Sequence, residues 1–390
     1  MKRKIELGTA IFFIFAAVLV TGIITYMYMD HKVEGTREQT AFFDKVTQVY
    51  NAVNRYYIGE IDNNAALDSM LNGYVAGVDD YGVYLNKTDY NNHKKDAEGK
   101  QSGIGATVKY VATTGYMKIT RVNSGSPCDQ AGMVAGDVIN QINGVDLSTM
   151  SYTEAANRLK ADIGTEIKIG YLRGEEQLTA TVTVQEYRKN TVTSRLMVNK
   201  IGYISISEFD DNTAADFKTA VESFKKKGVT NLIFDVRNNT GGSLDAVVDV
   251  LDYVLPKGTL CTVEDKMGEK VTYSSDESCL EGKFVVLING STYSGGELFA
   301  AAIRDYKYGT LIGTTTYGKG MAQEIFPLDN DETALYLSTH VYYPPNGENY
   351  EGVGVAPHQE VALTPELENR FYELTYSEDP QLQAAVEAIK

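Results

Sequence analysis

Thiols and imidazoles are scarce in this chain: three cysteines and four histidines stand among 390 residues. So few thiols cannot staple a disulfide scaffold or build a cysteine-rich zinc site. Four scattered histidines do not make a histidine-based metal centre either. Basic charge is also short, with 36 Lys and Arg against 52 Asp and Glu, a net charge of -16. A surface that acidic excludes nucleic acid as the main partner, because phosphate binding needs a basic face. Phosphate-binding loops, clustered acidic metal motifs and cofactor fingerprints are missing, so no cofactor and no metal are expected. What is present is a globular composition, 43% hydrophobic and 23% charged. A chain of this length is enough for about two or three domains.

Long uncharged runs are rare, and the longest is at the start. Lys2, Arg3 and Lys4 precede an uncharged stretch from Leu7 to Met29. As a helix it would measure about 35 Å, enough to cross a bilayer core. The apolar region of a signal peptide is shorter, about 7–15 residues, and ends in small residues. This run ends in Tyr26-Met27-Tyr28-Met29, aromatics suited to the interface. An uncleaved anchor in residues 1–30 is expected, with the basic tip in the cytoplasm and residues 31–390 outside. A cleaved signal is the competing reading.

Residues 31–100 read as a tether followed by helices. Phe43, Val46, Val49, Tyr50, Val53 and Tyr57 recur at helical spacing, and so do Leu67, Met70, Leu71, Tyr74, Val75 and Val78. These two stripes are expected to pack together. From 101 to 187 strands dominate, at Ile104–Tyr110, Tyr116–Val122, Asp137–Ile142 and the alternating Leu178–Val184. One helix opens at the capping box Ser151–Glu154. This predicts a small barrel. From 188 to 363 strand and helix alternate: Gly202–Ile206, Thr213–Lys227, Leu232–Val236, Ser243–Leu255, Phe284–Ile288, Glu297–Tyr306. The alternation predicts an α/β domain. Residues 364–390 read as a helical tail interrupted near Pro380.

The chemistry concentrates in the α/β part. The buried strand Phe284–Ile288 runs into Asn289-Gly290-Ser291-Thr292-Tyr293-Ser294-Gly295-Gly296-Glu297, a Gly-rich turn ahead of a helix. Such a corner exposes the Ser294 hydroxyl and aims the amide of Gly295 outward at the positive helix end. An acyl-transfer oxyanion needs fixed N–H donors of this kind. The strict G-x-S-x-G elbow is absent, since Thr292 takes its first position, and a helix-capping serine is the bland reading. A nucleophilic serine also needs a base. His340 and His358 lie downstream in sequence without a distinctive setting, His31 sits by the membrane run, and His93 reads as part of a polar loop. Lys319 is flanked by Gly318 and Gly320 with apolar neighbours. Desolvation there would lower its pKa toward the range of a neutral base; a solvated turn lysine is the alternative. The turn Asp235–Gly242 also ends a buried strand, where α/β domains place their sites. Its Gly241 and Gly242 amides are candidates for a second oxyanion donor.

Together these residues resemble the carboxyl-terminal processing proteases, also called tail-specific proteases. The matching pieces run in order: Asp79-Asp80-Tyr81-Gly82-Val83-Tyr84-Leu85, Gly103-Ile104-Gly105-Ala106, Gly125-Ser126-Pro127 through Gly136-Asp137-Val138-Ile139, Asp235–Gly242, the serine turn, Tyr317-Gly318-Lys319-Gly320 with Gln323, and Gly352–Pro357. The family's serine motif is usually Ser-Ala-Ser-Ala-Ser-Glu. Counting back from Glu297 places its nucleophile on Ser294 and replaces the flanking serines by Thr292 and Gly296.

The resemblance implies a transmembrane anchor, an N-terminal helical region, a PDZ domain at 101–187, an α/β protease domain at 188–363 and a helical segment at 364–390. Ser294 would be the nucleophile, Lys319 the base and Gln323 its orienter. Gly241, Gly242 and Gly295 would form the oxyanion hole, and Gly103, Ile104 and Gly105 a peptide-carboxylate site. The expected partners are proteins or peptides with exposed C-termini and the membrane itself, with room for a second copy or an activating partner. Two other readings stay open at this point: an inactive PDZ scaffold, and a Ser-His-Asp hydrolase using His340. Pairing of Cys261 with Cys279 is also left open.

Overall fold

The computed structural model describes residues 20–21, 37–328 and 332–390. The expected anchor in residues 1–30 lies outside them, apart from Val20 and Thr21. Among the described residues, no helix is long and apolar enough to cross a membrane.

The chain divides into two compact units, residues 1–70 and 71–390. In the first, residues 37–56 form a helix, as the spacing predicts. Its stripe is not buried, however: Phe43, Val49, Tyr50 and Val53 are exposed. A second helix spans Asn63–Ala76. The polar segment after Leu85 is also helical, at Lys87–Ala97, with Asn86 capping it through a bond from Asp89 N–H. His93 therefore lies on a helix rather than in a loop.

The barrel forms as the alternation predicts. Its sheet runs in the order Ala106–Val111, Tyr116–Val122, Val138–Ile142, Glu166–Arg173, Glu176–Thr183. Ile119, Ile139, Ile142, Ile167, Ile169 and Val182 point inward and are 0–1% exposed. The helix Tyr152–Leu159 starts at the reciprocal capping box of Ser151 and Glu154. Ala106–Val111 pairs on one side only, and its Tyr110 ring lies 5.7 Å from that of Tyr152 at the start of this helix.

The α/β part is built on a six-stranded sheet ordered Val192–Leu196, Gly202–Ile206, Leu232–Asp235, Phe284–Ile288, Thr310–Gly313, Gln359–Glu360. All neighbours are parallel except the first pair. Strands buried on both faces read as continuous apolar runs, which is why Phe284–Ile288 shows no alternation. Alternate residues still serve different layers. Ile204, Phe234, Val286 and Leu311 pack toward helices Thr213–Lys225, Leu244–Val254 and Gly295–Asp305. Ile233, Val285, Leu287 and Ile312 pack toward Leu382, Ala385, Val386 and Ile389 of the helix Pro380–Ile389.

A second sheet comprises Val83–Leu85, Thr333–Tyr343, Gly258–Asp265 and Lys270–Ser275, with Met321–Leu328 also paired to the long strand. All three cysteines are free; Cys128 and Cys261 are buried and Cys279 is exposed.

Candidate active site

Two turns meet at the C-terminal ends of the adjacent parallel strands Leu232–Asp235 and Phe284–Ile288. They are stitched together by side chain and backbone. Thr292 Oγ1 donates to Val236 O at 2.8 Å, Asn289 Nδ2 to Asn238 Oδ1 at 2.9 Å, and Tyr293 N–H to Asn239 O at 2.9 Å. Asn239 is 0% exposed; its Nδ2 donates to Ile206 O at 2.8 Å. Thr292 and Gly296, which replace the family's flanking serines, both have local work. Thr292 ties the turns, and a Cβ at Gly296 would lie 2.8 Å from Asn239 Oδ1.

Ser294 is the N-cap of helix Gly295–Asp305, with φ 52° and ψ -114°. An L-residue there is strained, the conformation of a sharp strand-to-helix corner. Gly241, at φ +83°, lies opposite; a Cβ on it would be 2.8 Å from Ser294 Cβ and 3.0 Å from Gly295 N. The two turns close up only because Gly241 has no side chain. Of the three amides expected to form an oxyanion hole, that of Gly241 is already used: it donates to Asn239 Oδ1 at 2.8 Å. Among the described residues, the N–H groups of Gly242 and Gly295 have no partner.

Lys319 is 5% exposed and lines the same cleft as Ser294, Gln323, Gly241 and Gly242. Its Nζ donates to Gln323 Oε1. It lies 4.8 Å from the centre of the Tyr81 ring and 4.9 Å from that of Tyr293. Gln323 is held in turn, its Nε2 donating to Tyr81 O at 2.7 Å. A β-bulge beside Gln323, with Thr339 as the extra residue of the facing strand, sets its direction.

Burial brings the Lys319 amine down to about 8, against the opposing pull of Asp79, Glu351 and Glu297. These carboxylates lower the charge penalty without claiming the amine, because neutral donors occupy each of them. Asp79 accepts from Ser338 N–H (2.7 Å), Ser338 Oγ (3.0 Å) and Tyr81 N–H (3.0 Å). Glu351 accepts from Gly320 N–H (2.6 Å) and Tyr81 Oη (2.7 Å). Glu297 accepts from Thr316 Oγ1, Gly318 N–H, Lys319 N–H and Ser294 N–H. Among the described residues, no hydrogen bond joins Ser294 Oγ to Lys319 Nζ.

The histidines are placed differently. His340 also lines the cleft, but its Nδ1 pairs with Thr339 Oγ1 at 2.8 Å and stands 3.9 Å from Glu324, with no bond to Ser294. His358 Nδ1 accepts Leu311 N–H at 2.9 Å, at the sheet. At the barrel, a Cβ on Gly105 would sit 2.0 Å from Ser126 Cβ. Ile104 joins the barrel core. Among the described residues, the amides of Ile104 and Gly105 have no partner, beside the open edge of Ala106–Val111.

Four residues support the site without announcing that role in the sequence: Tyr81 and Tyr293 through their rings, Asn239, and Glu297 through its carboxylate. The last had a signal, since Ser294-Gly295-Gly296-Glu297 has capping-box spacing.

A model of peptidase family S41 matches residues 200–361, and a PDZ domain model matches 102–184. The chain is 26% identical over 388 residues to a carboxy-terminal-processing protease of Bartonella bacilliformis, covering 97% of this chain and 87% of that one. It is 30% identical over 312 residues to a carboxyl-terminal-processing protease of Synechocystis, covering 78% of this chain and 72% of its relative. The chain belongs to the carboxyl-terminal processing proteases of peptidase family S41. It is a serine-type endopeptidase with a PDZ domain. Among solved structures, the photosystem II D1 C-terminal processing protease is similar at 25% identity and a TM-score of 0.51, covering 84% of this chain and 89% of that one. A putative S41 protease from Bacteroides fragilis shares the fold, with a TM-score of 0.61 and 18% identity over 84% of this chain and 90% of that one.

Proposed function

We propose that this S41 protease cleaves proteins near their C-termini with Ser294 as nucleophile and Lys319 as general base. The observation that carries the assignment is the buried Lys319 amine, pulled down to about 8, in the cleft that Ser294 lines. Ser294 Oγ attacks the scissile carbonyl and gives its proton to neutral Lys319 Nζ. The N–H groups of Gly242 and Gly295 receive the oxyanion. Lys319 then protonates the leaving amine, which departs with the new N-terminus. In the second half, Lys319 takes a proton from the water that attacks the acyl carbon, the C–Oγ bond breaks, and Lys319 returns that proton to Ser294 Oγ as the new C-terminus leaves. Gln323 is a positioning residue that fixes Nζ. The Ser294–Lys319 bond absent from the resting arrangement forms with substrate, as catalytic hydrogen bonds commonly tighten only in the complex.

The PDZ domain binds an extended C-terminal peptide along the edge of Ala106–Val111, its carboxylate at the Ile104 and Gly105 amides. The Leu7–Met29 run anchors the enzyme in the membrane, with the catalytic part extracytoplasmic. Ser294→Ala and Lys319→Ala are each expected to abolish cleavage of an unfolded test protein while leaving the fold intact. Retained cleavage in either variant would sink the dyad. His340→Ala is expected to stay active, which separates this reading from a Ser-His-Asp hydrolase. Fractionation tests the anchor: full-length protein should stay with membranes after a carbonate wash, and a chain starting at residue 31 should not.

A further inference from the structure

Helix capping explains only part of what Glu297 does. Its side chain is 0% exposed, at the third position of helix Gly295–Asp305. An ordinary capping box needs one bond from this carboxylate back to the N-cap amide, here Ser294 N–H to Oε2 at 2.9 Å. The same Oε2 also accepts Lys319 N–H at 2.8 Å. Oε1 accepts Gly318 N–H at 2.6 Å and Thr316 Oγ1 at 2.5 Å. One carboxylate thus holds the backbone amides of both Ser294 and Lys319. Thr316 carries the tie further, its Oγ1 accepting Val355 N–H at 2.7 Å. A fixed distance between a nucleophile and its base matters for rate, because a shift of about 1 Å can cost about 100-fold.

We propose that Glu297 is a positioning residue whose buried carboxylate sets the spacing and facing of the serine turn and the lysine loop. The inference rests on the Ser294–Lys319 reading. All four acceptor directions of an ionised carboxylate are in use, all by neutral donors. A carboxylate paired with the Lys319 ammonium would instead hold that base in its charged, useless form. Glutamine can place its one oxygen where Oε2 accepts the Ser294 and Lys319 amides, but its NH2 group then faces Gly318 N–H, donor against donor, and pushes the lysine loop out of place.

The test is steady-state cleavage by Glu297→Gln across pH, normalised to folded enzyme. Positioning predicts kcat lowered about 100-fold with KM within about threefold of wild type. It also predicts that the acid limb of kcat/KM moves to lower pH, because one of the anions facing Lys319 is gone. The groups facing that amine are Asp79, Glu351, Glu297, Tyr81, Tyr293 and Gln323. A folded Gln variant with kcat within about threefold of wild type and an unmoved acid limb overturns the proposal and leaves Glu297 a helix cap. Should that variant not fold, Thr316→Val removes one donor and keeps the carboxylate. About threefold to tenfold lower kcat at unchanged KM is then expected, and unchanged kcat counts against the proposal. Ser294→Ala and Lys319→Ala in the same assay separate the two failures. Activity in either overturns the dyad itself; their silence beside a normal Gln variant overturns only the positioning role.

Discussion

Two residues of the site are held at a cost to stability. Ser294 occupies φ 52°, ψ -114°, a conformation that costs an L-residue about 1–3 kcal/mol. Ser294→Gly should therefore raise stability by about 1 kcal/mol while abolishing cleavage, and Ser294→Ala should not raise it. Urea denaturation of the three proteins compares them directly. Lys319 is the second. Its folded pKa of about 8 lies below the ordinary 10.5 because burial disfavours the ammonium. The penalty is fully present below pH 8 and is relieved as pH rises toward 10.5 and beyond. Lys319→Met should accordingly be more stable than wild type at pH 7, by about 1–3 kcal/mol. The gap in thermal midpoint should narrow toward pH 10.5; a gap constant with pH would assign the gain to packing instead. The same titration governs rate. Cleavage should fall about tenfold per pH unit below about pH 8, as the neutral amine is lost.

At the scale of elements, the turns carry the specification. Gly241→Ala would put a methyl group 2.8 Å from Ser294 Cβ, at a backbone φ of +83°. It should reduce kcat by more than about 100-fold, with a near-native circular dichroism spectrum as the check. Wild-type kcat would mean that the turns can part without consequence. These turns were legible in the sequence because glycine, asparagine and serine at strand ends leave few backbone choices. So were the sheet strands Gly202–Ile206, Leu232–Asp235 and Phe284–Ile288, the last of them an unbroken apolar run. What stayed hidden depends on partners far along the chain. Nothing near Tyr81 announces that its ring and carbonyl hold Lys319 and Gln323. Gly241 and Gly242 look interchangeable until Asn239 takes the amide of one of them. The stripe at 43–57 has regular helical spacing, yet spacing reports only a face, not what covers it.

Across the whole molecule, one buried charge cluster joins the layers. Arg237, 6% exposed, bonds Asp235, Asp379 and Gln381, and its Cζ sits 4.7 Å from the centre of the Phe371 ring. Asp379 also caps the helix Pro380–Ile389. Just before it, Glu373 pairs with Lys118 of the PDZ domain at 2.7 Å, and Arg121 of that domain lies over Tyr372. Segment 371–379 thus links the PDZ domain to the strand end that feeds the Gly241 turn. Removing one partner of a buried ion pair costs about 3–5 kcal/mol, so Asp379→Ala should lose about that much in urea denaturation. A loss under about 1 kcal/mol would mean that Asp235 alone neutralises Arg237. The unpaired thiols have a different consequence. Burial pushes both the Cys128 and Cys261 thiols up to about 12, so neither offers a thiolate at neutral pH. Dithiothreitol should leave the thermal midpoint where it was. No disulfide records where this polypeptide folded, and its native core owes nothing to an oxidising solvent.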